Sequence, residues 1–295
     1  MKNPLRRLPD RPRAIARVVC EALREELATF PKPGLVSHVD SGSHPDMDAD
    51  CFLRAIAAME PFFAGLAAAG EAGAPLGDLQ RIGLCAETAM LEATGGKNTH
   101  RGAIFSLGLL AAAAGRSGQH RSATLGDIVR ECWAGDLPVP CEIEASTEGI
   151  ARCQRHGVEG ARGEARSGFP SVYRTGLPAL CRALESVDRP SARVQVFFVL
   201  LASCEDTTLL KRGGAEGAGF ARAEARRFLA EGGVLSSGWA ARAATIHRAF
   251  VARNLTAGGV ADLLAATLFV HALAPPDQAS PHHRHPGRKK FLSPA

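Results

Sequence analysis

The chain has 295 residues, 46% of them hydrophobic, with a formal charge of +5. That is enough apolar material for a substantial core, which excludes a disordered chain. The surplus charge gathers at the two ends, in Lys2, Arg6, Arg7, Arg11 and Arg13 and in Arg284, Arg288, Lys289 and Lys290, without the basic–aromatic interleaving of a nucleic-acid surface.

Aromatic residues make up 5% and alanine fills the gap, as in the run Ala111 to Ala114. Alanine has the highest helix propensity, so the composition leans to helices packed through small side chains. The apolar spacing starts with a helix over 14–29, stopped by Pro31 and Pro33. A long loop rich in Gly, Ser, His and Asp runs to about Asp50. Loops of this length in compact domains tend to be functional or disordered. Helices are then expected over 50–69, 76–93, 99–114, 125–133, 141–156, 176–185, 191–204, 216–230, 237–252 and 257–273, with Gly or Pro in nearly every gap. No alternating strand and no fixed repeat is present. The fold class is all-α: one compact multi-helix domain of about ten helices over 1–275, with a disordered basic, His-rich tail over 276–295.

The eight cysteines include no C-x-x-C pair, and several fall in apolar helical stretches, which points to buried thiols. The charged N-terminus lacks the apolar core of a signal peptide, and the longest strongly apolar run, 194–204, is too short for a membrane span. A cytoplasmic protein with no membrane or nucleic-acid partner is expected. The Ala-rich helices allow packing within one chain or across a homodimer.

Three polar clusters exceed what a core needs. The first runs from Pro31 to Asp50. Prolines flank Lys32 and fix its backbone, which suits an aimed ammonium. Asp46, Asp48 and Asp50 imitate the start of an EF-hand loop, but Cys51 stands where Gly is required and Ala57 where Glu is required. A magnesium site needs fewer carboxylates and survives, beside helix capping as the plainer role. Asp40 and His44 are candidates for proton transfer.

The second cluster is Ala93-Thr94-Gly95-Gly96-Lys97-Asn98-Thr99-His100-Arg101-Gly102. A helix carrying Glu87 ends at the glycines, and Asn98 or Thr99 caps the next. Free N–H groups and a dipole end, with Lys97, His100 and Arg101 adding charge, match a phosphate cradle or a solvated hairpin tip. Glu87 on an apolar helix face requires pairing or coordination. The third cluster has Asp206 after an apolar helix, followed by Lys211-Arg212-Gly213-Gly214, with Asp262 in the first turns of the last core helix. Lys32, Gly95, Gly96, Lys97, Asn98, Thr99, Arg101, Lys211 and Arg212 are the candidate phosphate ligands. Asp46, Asp48, Glu87, Asp206 and Asp262 are the candidate Mg²⁺ ligands, and Asp40, His44, Glu87 and His100 the candidate catalytic residues.

The stretches PKPGLVSHVDSGSHPDMD, AETAMLEATGGKNTHRGAIFSLGLL, SGFPSVYRTGLPAL, EDTTLLKRGG and LTAGGVADLLAATLFV resemble, in order, the triphosphoribosyl-dephospho-coenzyme A synthase family. The first looks closer to the branch serving malonate decarboxylase than to the citrate lyase branch. Departures are Lys97 for a small apolar residue, Thr208 for Asn, Lys211 for His and Ala257 for Pro. The resemblance implies an all-α enzyme that joins ATP to 3'-dephospho-CoA with loss of adenine. Its product is the precursor of an acyl-carrier-protein prosthetic group. A non-enzymatic helical nucleotide- or coenzyme-binding protein and a magnesium-dependent glycohydrolase are the competing readings.

Overall fold

The computed structural model of the chain describes residues 10–119, 124–138 and 160–274. Among them are eleven α-helices and no strand: α1 Arg11–Leu27, α2 Ala49–Glu71, α3 Leu76–Ala93, α4 Arg101–Arg116, α5 Leu125–Trp133, α6 Gly160–Arg166, α7 Leu177–Leu184, α8 Arg189–Ser203, α9 Thr207–Ala230, α10 Trp239–Ala252 and α11 Gly258–Leu273. A π-helical turn, Ser171–Gly176, leads into α7. The helix expected over 141–156 and the tail with His282, His283 and His285 lie outside the described residues.

Short polar caps explain where many helices start. The Asp48 carboxylate accepts the Cys51 N–H at 2.8 Å to open α2, Thr124 and Asp127 form a capping box on α5, and Asp188 accepts the Ser191 N–H at 2.9 Å on α8. α9 differs from expectation. An additional helical stretch opens at Thr207, the backbone kinks at Gly214 (φ +60°, ψ −160°), and the expected helix over 216–230 follows the kink.

α11 is apolar all round and buried along its length, packed by α1, α4, α8 and the π turn. α2 and α4 approach backbone to backbone. A Cβ on Gly70 would sit 1.9 Å from Ala112 O, and one on Gly115 would sit 2.0 Å from Ala67 O, which is the structural use of the alanine run. α2 is long and apolar enough to cross a membrane by length and composition, a feature the reading of the longest apolar run did not bring out. In the fold it packs on α1, α3 and α4 and carries Asp50, Arg54 and Glu60. Among the described cysteines Cys20 and Cys51 are buried, and burial pushes the Cys20 thiol up to about 12. Cys85 is the correction: it faces outward on α3.

Candidate active site

The loop between α1 and α2 folds back onto the α10–α11 junction. Gly34 makes this approach by having no side chain, since a Cβ there would lie 2.1 Å from Leu255 O, at φ +70°. Ser43 Oγ donates to Leu255 O at 2.7 Å. Arg212, from the first turns of α9, donates to Ser43 O at 2.7 Å and to Asn254 Oδ1 at 2.5 Å. The first polar cluster, the third, and the start of α11 are thereby one unit.

His44 completes that junction. Its Nδ1 faces the Arg212 guanidinium at 3.2 Å and its Nε2 faces Thr256 Oγ1 at 2.9 Å. Arginine only donates, so Nδ1 accepts and the proton sits on Nε2. Burial and the Arg212 charge hold His44 down to about 4. It is a neutral strut with both nitrogens committed, in place of the proton-transfer role expected for it. Asp40 is likewise engaged: Oδ1 accepts from Gly42 N–H at 2.9 Å and pairs with His247 Nε2 at 3.1 Å. His247 Nδ1 lies 3.1 Å from Lys32 O, so the pair clamps the loop onto α10. A cleft of about 380 Å³ opens beside it, lined by Asp40, Ser41, Gly42, Arg248 and Val251 but by neither His100 nor Asp262.

Lys32 is the clearest correction among the cations. It is 1% exposed, and its Nζ pairs with the Glu26 carboxylate and donates to Glu26 O at 2.9 Å. Such an ammonium does not grip a phosphate from solvent. It balances a buried charge, and burial depresses its pKa below the usual lysine value despite the neighbouring Glu26. Glu26 itself sits on the apolar face of α1 between Leu23 and Leu27. Sequence reading passed over it, though a carboxylate on a core-facing stripe was the available signal. His247, on the buried face of α10, was missed for the same reason.

The glycine-rich junction between α3 and α4 is built otherwise than a phosphate cradle. Gly95 and Gly96 take φ +65° and +84°, and the Gly96 N–H donates to Leu91 O at 2.7 Å, while Gly95 N–H reaches Glu92 O at 3.4 Å. These donors close the end of α3 and are not turned outward. His100, not Asn98 or Thr99, is the N-cap of α4 and makes no side-chain cap, while Asn98 Oδ1, two residues upstream, accepts the Arg101 N–H at 3.1 Å. The Thr99 hydroxyl lies 2.8 Å from His100 Nδ1. His100 is buried edge-on to the Phe52 ring at 4.9 Å, and its Nε2 has no hydrogen-bond partner. Burial, with Lys32 in electrostatic reach, holds it down to about 3, so it is neutral. Lys97 is half-buried and in electrostatic reach of Cys51, beside Asp46 and Asp48. The second cluster therefore meets the acidic end of the first.

Glu87 is not a lone buried carboxylate. It pairs with Arg101 across the α3–α4 corner, with side-chain exposures of 23% and 58%. A rim pair of this kind contributes about 0–1 kcal/mol. Glu87→Gln is therefore expected to leave the melting temperature nearly unchanged, which a thermal melt checks.

The five carboxylates expected to hold Mg²⁺ do not form a ligand set. Asp48 caps α2, Glu87 pairs with Arg101, and Asp46 is exposed on the rim. Asp206, 3% exposed, accepts three backbone N–H groups: Thr208 at 2.7 Å and Leu209 at 2.9 Å on Oδ1, and Val260 at 2.8 Å on Oδ2. It staples the starts of α9 and α11 together. Among the described residues no three His, Cys, Asp or Glu side chains are placed to hold a metal ion. Thr208, where Asn was expected, serves the same staple, its Oγ1 accepting the Gly259 N–H at 3.3 Å. Asp262 is the remaining carboxylate. It lies against the start of α4, where a Cβ on Gly102 would fall 2.0 Å from its Oδ2. Burial and the nearby carboxylates of Glu26 and Asp206 push its pKa well above the usual range.

Lys32 reaches electrostatically to both His44 and His100, which ties the first polar cluster to the second. The family profile of ATP:dephospho-CoA triphosphoribosyl transferase matches residues 12–280. The chain belongs to the ATP:dephospho-CoA triphosphoribosyl transferase family. The 2-(5''-triphosphoribosyl)-3'-dephosphocoenzyme-A synthase of Klebsiella pneumoniae is 38% identical over 289 residues, covering 92% of this chain and 95% of that protein. The protein of the same name from Pectobacterium atrosepticum is 42% identical over 270 residues, covering 86% and 87%. No solved structure matches the chain. The transferase match spans every element that contributes to the charge cluster, from Glu26 on α1 to Asp262 on α11.

Proposed function

We propose that this transferase moves the triphosphoribosyl group of ATP onto a ribose hydroxyl of 3'-dephospho-CoA, releasing adenine and giving 2'-(5''-triphosphoribosyl)-3'-dephospho-CoA. The observation that carries this reading is the family match across residues 12–280, together with near full-length similarity to synthases of that name.

The site chemistry supports it. Breaking the bond between adenine and the sugar builds positive charge on the ribose, and preorganised negative charge nearby lowers that barrier. Here the buried Glu26 carboxylate, paired with the Lys32 ammonium, and the buried Asp206 both lie in electrostatic reach of Asp262. The triphosphate is retained in the product, so it must be held without being cleaved. We assign that hold to Lys97, Arg101 and Arg212, with Lys211 exposed near the start of α9. Mg²⁺ enters as part of the ATP substrate, riding on the phosphates.

The sequence of Ser37 to Asp48 favours the malonate decarboxylase acyl carrier protein as the destination of the product. Incubation of the protein with ATP and Mg²⁺, with and without dephospho-CoA, tests the reaction through free adenine and the mass of the coenzyme product. Adenine without coenzyme would point to a glycohydrolase, and no adenine to a binding protein.

A further inference from the structure

We propose that the cleft between the α1–α2 loop and α10 holds the pantetheine arm of dephospho-CoA, with Arg248 on its diphosphate. The inference rests on the transfer reaction proposed above and gives its acceptor a place.

The acceptor is a long molecule. Its reacting ribose is joined through a diphosphate to an arm that carries a dimethyl group, two amides and a thiol. No part of the arm takes part in the transfer, so it needs a place outside the buried charge cluster. That place must offer apolar surface, unused hydrogen-bonding groups and a cation for the diphosphate.

The cleft offers all three. Its volume of about 380 Å³ falls within the roughly 300–1,000 Å³ of small-molecule sites. Val251 and Ala252 of α10 supply apolar lining. Val251 is 39% exposed, and Val39, the chain neighbour of Asp40, is 63% exposed. Among the described residues only Leu84 and Leu235 are other large apolar side chains left so open. On the loop side, the hydroxyl and N–H of Ser41 have no hydrogen-bond partner among the described residues. Arg248 is exposed and donates to Thr245 Oγ1 at 2.9 Å, but it pairs with no described carboxylate. A guanidinium without an acid partner suits a diphosphate. The Asp40 carboxylate in the same wall is already committed to the Gly42 N–H and to His247.

The wall is fixed before any ligand arrives. Gly42 sits at φ +55°, and a Cβ there would lie 2.7 Å from Leu35 O. A preformed wall spares the ligand the cost of ordering the loop. The cleft also adjoins the Arg212 junction. Gly42 precedes Ser43, whose carbonyl accepts from Arg212, and Asn254, two residues past Ala252, accepts from the same guanidinium. One extended coenzyme can therefore follow the loop from the junction into the cleft. A second groove of about 430 Å³, between α1, α8 and α11, suits the arm less well. Its Arg24 and Arg189 already face Glu21 and Glu25, and it shares no residue with the three polar clusters.

The test is calorimetric binding of dephospho-CoA and of ATP to the unaltered protein, to Val251→Asp and to Arg248→Gln. Both side chains are exposed on α10, so both variants should melt with the unaltered protein. Each variant is expected to weaken dephospho-CoA binding by about tenfold or more, the first through lost apolar burial and the second through the lost charge. The Kd for ATP should not move. Phosphopantetheine, which carries the arm and one phosphate but no adenosine, should compete with dephospho-CoA for the unaltered protein. Variants that bind dephospho-CoA as the unaltered protein does, or that lose both ligands alike, would overturn the assignment. So would an unaltered protein that does not bind dephospho-CoA. Binding of dephospho-CoA without any adenine release from ATP would instead remove the transfer reaction, and the comparison of the three proteins would still decide where the arm lies.

Discussion

Lys32→Met will cost about 3–5 kcal/mol of stability, because it strands the Glu26 carboxylate, buried at 4% exposure, without its cation. At roughly 2–4 °C per kcal/mol for a domain of this size, the melting temperature should drop by about 6–20 °C. The change should not come from lost packing, since methionine fills much of the volume of the lysine stem. The double replacement Lys32→Met with Glu26→Leu tests this. Removing both partners of a buried pair is often neutral, so most of the stability should return. A single variant that melts with the unaltered protein would contradict the buried-pair account.

The second large effect is on acid stability, and its sign follows from His100. This side chain is buried and held down to about 3 in the folded protein, against about 6.5 when exposed. Between those values the unfolded chain binds a proton that the folded chain refuses. Stability contributed by the neutral ring is complete above 6.5 and is lost as the pH falls towards 3. The slope for one such group is about 1.4 kcal/mol per pH unit. His44, held down to about 4, acts in the same direction over a narrower window. Thermal melts from pH 7 to pH 4 should therefore fall steeply, and His100→Phe, which offers no group to protonate, should flatten part of that fall. An unchanged pH slope in His100→Phe would contradict the burial assigned to this ring.

Much of the helical frame was legible because its punctuation is local. α3 and α5 fall at 76–93 and 125–133 as read from apolar spacing, turn residues and caps. In α9 the glycine pair does break the helix, since Gly214 leaves helical conformation at φ +60° and ψ −160°, and the expected 216–230 follows the kink; what was not legible is the helical stretch before it, opening at Thr207. The three polar clusters were visible as surplus charge, and the fold does bring them together.

What each residue does there was less legible, because sequence does not distinguish a charge facing solvent from one facing the core. Lys32 read as a phosphate ligand and is the counter-ion of Glu26. Asp206 read as a metal ligand and is a staple between two helix starts. Gly95 and Gly96 read as a cradle and are a helix end. In each case the partner lies elsewhere in the fold or is the backbone itself, and single-residue reasoning sees neither. Gly102 and Asp262, 160 positions apart, show the same gap most plainly: one is a glycine because the other is a carboxylate.

The central claim is the transfer of the triphosphoribosyl group, and mass spectrometry of the coenzyme product tests it most directly. With ATP, Mg²⁺ and dephospho-CoA present, the account predicts free adenine and, in equal amount, a coenzyme species heavier by one triphosphoribosyl group. Release of adenine with dephospho-CoA left unmodified, or no release at all, would contradict it.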